Sequence, residues 1–418
     1  MKKYCELPFT DLRSFASGKY SICCACNDAI TPSMEIRNEN PTEFFQSKFM
    51  NRLRRDMIIS PDEPKGLVKK VCGQCIELEK NGLKSIREPS EWYDRENTEE
   101  NWINKSTGVV DLKNKTDRTL RIKLNFYGNE CNLECYMCEP FNSTRRMRVY
   151  KKLDKKYTQF TPGEFYSEES LEDNCYLEKD RFEEISESIL KYKHLISMIE
   201  VSGGEPAIMK RHFDFLRKFI ESGDSKDIFL SYITNLTILS EEWISIIKEF
   251  QRKEIWNGKK LNGLDMQWSC DDIEKRAEWI RYPCNWKKIV DNIYLYRKTF
   301  PNGGLRVTNC PSILSILNVD KLYIKMLELG FKENEIVFNN IIYYPSFLAP
   351  RHLPHSLKEI VNKKLKNTNL EFLLHFVNKE GDKKEFDLCI EYLNELDRQR
   401  GTTWKTIFPE LDGVEYEK

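Results

Sequence analysis

Thr119 to Cys138 reads TLRIKLNFYGNECNLECYMC. A short apolar strand runs straight into a loop that carries three cysteines, Cys131, Cys135 and Cys138, in a C-x3-C-x2-C spacing. From this point strand and helix patterns alternate. Six strands are predicted, at 120–127, 196–202, 228–234, 264–270, 305–310 and 335–343, with amphipathic stretches such as KRHFDFLRKFIES and WKKIVDNIYLYRKTF between them. Such alternation predicts parallel βαβ units with right-handed crossovers. The fold class is therefore α/β, a partial (β/α)6 barrel with parallel strands. In that architecture ligands gather at the carboxyl ends of the strands, which here read CNLECYMC, SGGEP, TNLT, SCDD and TNCPS.

Outward from this core the pattern weakens. Residues 1–105 are expected to form a small N-terminal cysteine-rich module with one helix, TEFFQSKFMNRLRRDM, and a polar linker over 89–118. The barrel is assigned to 106–345, and an irregular, helical extension to 346–418. The chain has 418 residues with 66 Lys plus Arg and 66 Asp plus Glu, so no global field is available to hold a polyanion and nucleic acid is not an expected partner. No run of about 18 apolar residues could span a bilayer. The start, MKKYCELPFTDLRSF, lacks a secretory apolar stretch, so a cytoplasmic protein without a membrane partner is expected.

Fourteen cysteines in a large charged chain suit metal ligation better than disulfides. Eight of the nine before residue 140 fall in three groups, at 23/24/26, 72/75 and 131/135/138. Three close thiolates can hold a cubane [4Fe-4S] cluster, which normally takes four cysteines, and so leave one iron without a protein ligand. A zinc knuckle or inert thiols are the plainer alternative.

The C-x3-C-x2-C triplet, with SGGEP at 202–206 after the next strand, resembles the radical S-adenosylmethionine superfamily. The resemblance implies that Cys131, Cys135 and Cys138 hold a [4Fe-4S] cluster and that Gly203, Gly204, Glu205 and Pro206 face the methionine amino group. It further implies that Asn235, Ser269 and Asp271 face the ribose or the methionine end. The implied chemistry is reductive cleavage of S-adenosylmethionine to a 5′-deoxyadenosyl radical, which takes hydrogen from a substrate, with electrons from an external donor of flavodoxin or ferredoxin type. Met137 stands where the superfamily often has an aromatic residue.

Around the N-terminal cysteines, YCELPFTDLRSFASGKYSICC and VCGQCIELEKNGLKSIRE resemble a twitch-domain-containing, SPASM-like subgroup. The matches are Cys5, Leu7, Pro8, Gly18, Cys23, Cys24, Cys72, Cys75, Glu79, Gly82, Ser85 and Arg87. That resemblance implies an auxiliary [4Fe-4S] cluster on Cys5, Cys23 or Cys24, Cys72 and Cys75, with Cys26 spare. Spacing alone, Cys23-x2-Cys26 with Cys72-x2-Cys75, fits a structural zinc ribbon. The subgroup's Trp and His near Phe9 and Leu12 are absent. WIRYPCNW at 279–286, HLP at 352–354 and LDRQRG from 396 extend the likeness.

Other residues have a bland reading beside a sharper one. RRMRVYKKLDKK, 145–156, holds seven Lys or Arg in twelve positions and reads as a solvated helix face or an anion patch. Arg281 could clamp a carboxylate or form a surface ion pair. Cys270 and Cys310, at strand ends, could donate hydrogen to a substrate radical, although free cysteine more often behaves as a small apolar residue. The five histidines show no ligand spacing, and His352 and His355, three apart, read as structural. By analogy a peptide substrate is expected. A nucleotide or small molecule, or a zinc-ribbon binding module on a non-catalytic barrel, are the alternatives.

Overall fold

The computed structural model describes residues 5–15, 18–23, 26, 32–60, 64–80, 85, 87, 102–161, 164–165, 177–256, 259–338, 341–342 and 344–417. Its centre is one eight-stranded sheet. In chain order the strands are β1 Asp11–Ser14, β2 Tyr20–Ser21, β3 Leu120–Lys123, β4 Ile196–Val201, β5 Phe229–Thr234, β6 Leu264–Ser269, β7 Gly304–Thr308 and β8 Ile336–Val337. They lie side by side as β8-β7-β6-β5-β4-β3-β1-β2. All neighbours run parallel except β1 and β2.

From β3 to β8 the spatial order follows the chain order, so every crossover steps to the next place in the same direction. This is how a (β/α) barrel winds; the two outer strands do not pair, so the barrel is open. All six predicted strands are present. β4 and β5 are buried along almost their whole length, as strands covered on both faces must be.

Among the described residues the helices of six residues or more are α1 Lys48–Ile59, α2 Gly66–Val71, α3 Gly73–Lys80, α4 Thr144–Tyr150, α5 Lys179–Leu190, α6 Lys210–Glu221, α7 Glu241–Lys248, α8 Glu274–Ile280, α9 Trp286–Thr299, α10 Val319–Glu328, α11 His355–Leu365 and α12 Lys383–Arg400. Helix α6 shows the rule: Phe213, Leu216 and Phe219 recur every three residues and, with Phe215, form its buried face. Side-chain caps fix several starts, Ser240 Oγ accepting from Trp243 N and Asn285 Oδ1 from Lys288 N. No helix among the described residues is long and apolar enough to cross a membrane.

Two sequence expectations change in the N-terminal part. The single helix expected over TEFFQSKFMNRLRRDM is two, Pro41–Phe45 and α1, because Ser47 turns the chain and caps α1 through Met50 N. The polar linker also packs from Trp102 onward. Trp102, Val110 and Leu112 are buried, Lys115 Nζ lies 3.6 Å over the Trp102 ring, and a hairpin pairs Ile103–Asn104 with Val109–Val110. One tryptophan supplies an apolar anchor that the charged composition hides. Most directly, β1 joins the barrel sheet itself, with Asp11 beside Arg121 and Arg13 beside Lys123.

Candidate functional site

The loop after β3 carries Cys131, Cys135 and Cys138. Cys135 is buried, and Cys131 and Cys138 are half-buried. Burial pushes the Cys131 thiol up to about 12 and raises Cys135 and Cys138, with the neighbouring cysteines adding to the effect at Cys131 and Cys138. The three sulfurs therefore stand within electrostatic reach of one another. In this setting a thiolate needs a positive partner, a metal centre or an arginine.

The loop is docked on the diglycine turn. Glu205 N donates to Glu130 O at 2.7 Å and Gly204 N to Asn142 O at 2.9 Å. Gly203 and Gly204 have φ of +80° and +59°, and a Cβ on Gly204 would stand 2.6 Å from Glu130 O. Glycine is thus required where the turn meets the residue before Cys131. From the N-terminal side, Ser14 Oγ accepts from Asn125 N at 3.0 Å, and Ser202 Oγ donates to Asn125 Oδ1 at 3.3 Å. Strand β1 is connected to the turn by this chain of bonds.

Glu205 faces inward. One oxygen accepts from Thr234 Oγ1 at 2.7 Å and Ala207 N at 3.2 Å, the other from Asn235 N at 2.8 Å. Full burial raises its carboxyl to about 7, partly offset by these bonds. In this structure it ties the end of β4 to the end of β5. Behind Pro206, His212 Nδ1 lies 3.2 Å from Pro206 O and Nε2 3.0 Å from Tyr232 Oη. Both ring nitrogens of this buried histidine thus face protein partners.

Asn235 continues the bridge. Its Nδ2 donates to Asn132 Oδ1 at 2.9 Å and lies 4.0 Å from Cys131 Sγ. Ser269 is the last, half-buried residue of β6. Beyond it Asp271 Oδ1 accepts from Cys310 N at 2.9 Å, and Oδ2 pairs with Arg281 Nη2 at 2.7 Å. Arg281 Nη1 reaches Cys135 Sγ at 3.7 Å. The structure therefore brings Cys131, Cys135, Cys138, Gly203 to Pro206, Asn235, Asp271 and Arg281 to one mouth. Cys270 is buried, and its thiol donates to Asp272 O at 3.2 Å, whereas Cys310 is half-buried, within electrostatic reach of Cys135 and Arg281.

Two buried arginines were missed as site residues. Arg146 Nε donates to Cys138 O at 3.2 Å and Nη2 to Tyr136 O at 2.8 Å, with Tyr392 Oη also against Nη2. Arg400 Nη2 donates to Glu134 O at 2.6 Å. Alternate carbonyls of the cysteine loop, 134, 136 and 138, are thus held by guanidinium groups. The same loop's amides at 134 and 136 donate to Tyr282 O and Ile280 O. Arg146 belongs to the basic stretch read as a solvated face, and it is fully buried.

These residues fit an anionic, thiolate-bound cluster. Arg281 Nε and Arg146 Nη1 are buried without a hydrogen-bond partner, so cationic donors remain within electrostatic reach of Cys135 and Cys138. Among the described residues no three His, Cys, Asp or Glu side chains converge on one ion position. The three ligands of a cubane need no such convergence, because each binds a different iron.

In the N-terminal part Cys5, Cys23, Cys72 and Cys75 are buried. Cys24 and Gly82 lie outside the described residues. Cys5, Cys26 and Cys75 are within electrostatic reach of Cys72, whose thiol burial pushes up to about 12. Cys26 Sγ lies 3.2 Å from Cys23 O and 3.3 Å from Ser21 Oγ. Arg87 pairs with Glu79 at 3.4 Å beside these thiols. A cleft of about 970 Å³, lined by Arg351, His352, Lys358 and Asp382 among others, lies in the C-terminal extension and includes none of the expected site residues.

No family model matches the chain, and no curated protein does. Among solved structures, Streptococcus suis SuiB bound to precursor peptide SuiA overlaps at TM-score 0.32 with 10% identity, covering 70% of this chain and 52% of SuiB. TYW1 with a lysine-pyruvate adduct bound overlaps at TM-score 0.26 with 8% identity, covering 60% of this chain and 72% of TYW1. The chain spans about half the length of SuiB. Overlaps this loose transfer neither fold nor activity to this chain.

Proposed function

We propose that this chain is a radical S-adenosylmethionine enzyme with a [4Fe-4S] cluster on Cys131, Cys135 and Cys138. The observation that carries the reading is the contact between the cysteine loop and the diglycine turn, Glu205 N to Glu130 O at 2.7 Å. When bound, the cluster and S-adenosylmethionine supply reductive cleavage of the sulfonium and hydrogen abstraction from a substrate. The chain's part is to hold and orient. Gly203 and Gly204 give the turn the left-handed bend that seats it against Glu130 O, and Asn235 holds the loop beside Cys131. Buried arginines offset thiolate charge.

In the same reading, residues 1–105 form a module with an auxiliary [4Fe-4S] cluster on Cys5, Cys23 or Cys24, Cys72 and Cys75. Residues 106–345 form the barrel, and 346–418 an extension that buttresses the cysteine loop. The substrate is a peptide, by analogy with modules of this kind. The electron donor is external, of flavodoxin or ferredoxin type, and the protein works in the cytoplasm. A second reading, zinc in the N-terminal module, is favoured by Cys26 standing within reach of Cys72, as paired C-x2-C knuckles require.

Anaerobic reconstitution tests both. Two clusters give about eight irons per chain, and one cluster with zinc about four. Reduction with S-adenosylmethionine should release 5′-deoxyadenosine, and Cys135→Ala should abolish it. A colourless protein holding zinc alone, or a Cys135→Ala variant as active as the parent, would sink the proposal.

A further inference from the structure

Four arginines hydrogen-bond the cysteine loop among the described residues, and three of them, Arg145, Arg146 and Arg400, hold its backbone. Arg281 turns toward a sulfur. Its Nη1 stands 3.7 Å from Cys135 Sγ, its Nη2 2.7 Å from Asp271 Oδ2, and its Nε is buried without a hydrogen-bond partner. The flanking carbonyls, Ile280 O and Tyr282 O, accept from Tyr136 N at 3.0 Å and Glu134 N at 2.7 Å, so the Arg281 backbone is locked to the cysteine loop on both sides. Asp271 is only 1% exposed and is itself fixed by Cys310 N. A buried carboxylate thus aims a largely buried guanidinium at one thiol, in a place where salt screens the two charges only weakly.

Resting on the cluster reading above, we propose that Arg281 is a positioning residue that sets the reduction potential of the group held by Cys131, Cys135 and Cys138, with Asp271 as its counterweight. Reduction adds one electron to a cluster whose ligand sulfur accepts from Arg281. A cationic donor beside that sulfur stabilises the more negative, reduced form and raises the potential; a nearby carboxylate lowers it. The pair therefore acts on one quantity with opposite signs. Loss of packing alone has no reason to do so.

The test is a potentiometric titration of the reconstituted full-length protein, followed through the electron paramagnetic resonance signal that Cys135→Ala removes. Arg281→Gln should move the midpoint to more negative potential, Asp271→Asn to more positive potential, and Arg281→Lys should fall between Arg281→Gln and the parent. Midpoints that do not move, or that move in the same direction in Arg281→Gln and Asp271→Asn while iron and sulfide contents stay at parental levels, would overturn the inference. Should Arg281→Gln fail to assemble a cluster, the signs of Asp271→Asn and Arg281→Lys decide the matter. Iron and sulfide analysis of the parent, made first, separates failure of the cluster reading from failure of this inference; a parent without a cluster at these cysteines ends both.

Discussion

Gly204 and Glu130 are in contact through backbone alone: a methyl group on Gly204 would stand 2.6 Å from the Glu130 carbonyl oxygen. The residue before Cys131 is therefore seated on the turn that ends β4, and the two motifs, some seventy residues apart in sequence, behave as one rigid piece.

Gly204→Ala should separate them. The left-handed backbone and the clash together cost about 1–3 kcal/mol, and the displaced loop should bind less iron. Thermal melting of the metal-free variant with iron analysis after reconstitution reads both effects. A variant with parental melting temperature and iron content would show that the turn and loop are not coupled.

Arg146 and Tyr392 should differ in weight. Arg146→Met leaves the Cys138 carbonyl without its donor and the Tyr136 carbonyl with Tyr392 Oη alone, and about 3 kcal/mol of destabilisation is expected. Tyr392→Phe removes one hydroxyl that donates to Tyr136 O at 2.6 Å, and about 1 kcal/mol is expected. Denaturant unfolding of the metal-free variants measures the order, and equal losses would contradict it.

His212 should make the fold acid-sensitive. Burial pushes its pKa down to about 3, while the unfolded chain titrates near the ordinary value of about 6.5. Between these values the unfolded state binds more protons, so the contribution is complete above about pH 6.5. It is lost on acidification by up to about 1.4 kcal/mol per pH unit. His212→Gln should be less stable near neutrality and show a flatter acid slope. Parallel stability profiles for variant and parent would refute this.

The N-terminal thiols can be sorted by metal content. Cys72→Ser and Cys75→Ser should lose the auxiliary metal while keeping the iron bound by Cys131, Cys135 and Cys138. In the zinc reading, Cys26→Ala should reduce the auxiliary metal as well, because Cys26 lies within electrostatic reach of Cys72. Full retention in Cys26→Ala would return the fourth ligand to Cys23 or Cys24.

The barrel was legible because each of its strands is followed by a helix whose apolar residues recur at helical spacing, as in Phe213, Leu216 and Phe219. The mouth was legible from its strand ends. What escaped depends on distant partners. Arg400 meets the Glu134 carbonyl across 266 positions, and nothing local distinguishes a buried arginine from a solvated one. DLRS at 11–14 is too short to show a period, and its pairing with β3 is set by the sheet rather than by its own side chains. The partners of Glu205 were not legible either: it accepts from Thr234 Oγ1 and Asn235 N at the end of β5, some thirty positions on, and from Ala207 N in its own turn.

Strand β1 pairs with residues 110 positions further along, Asp11 with Arg121. During synthesis it emerges well before its partner exists, so the rim of the sheet can form only after the first barrel strand has been made. A fragment cut at residue 106 would expose β3 along one whole side, its amides and carbonyls free to pair with another molecule, and such a fragment should self-associate where the longer chain does not.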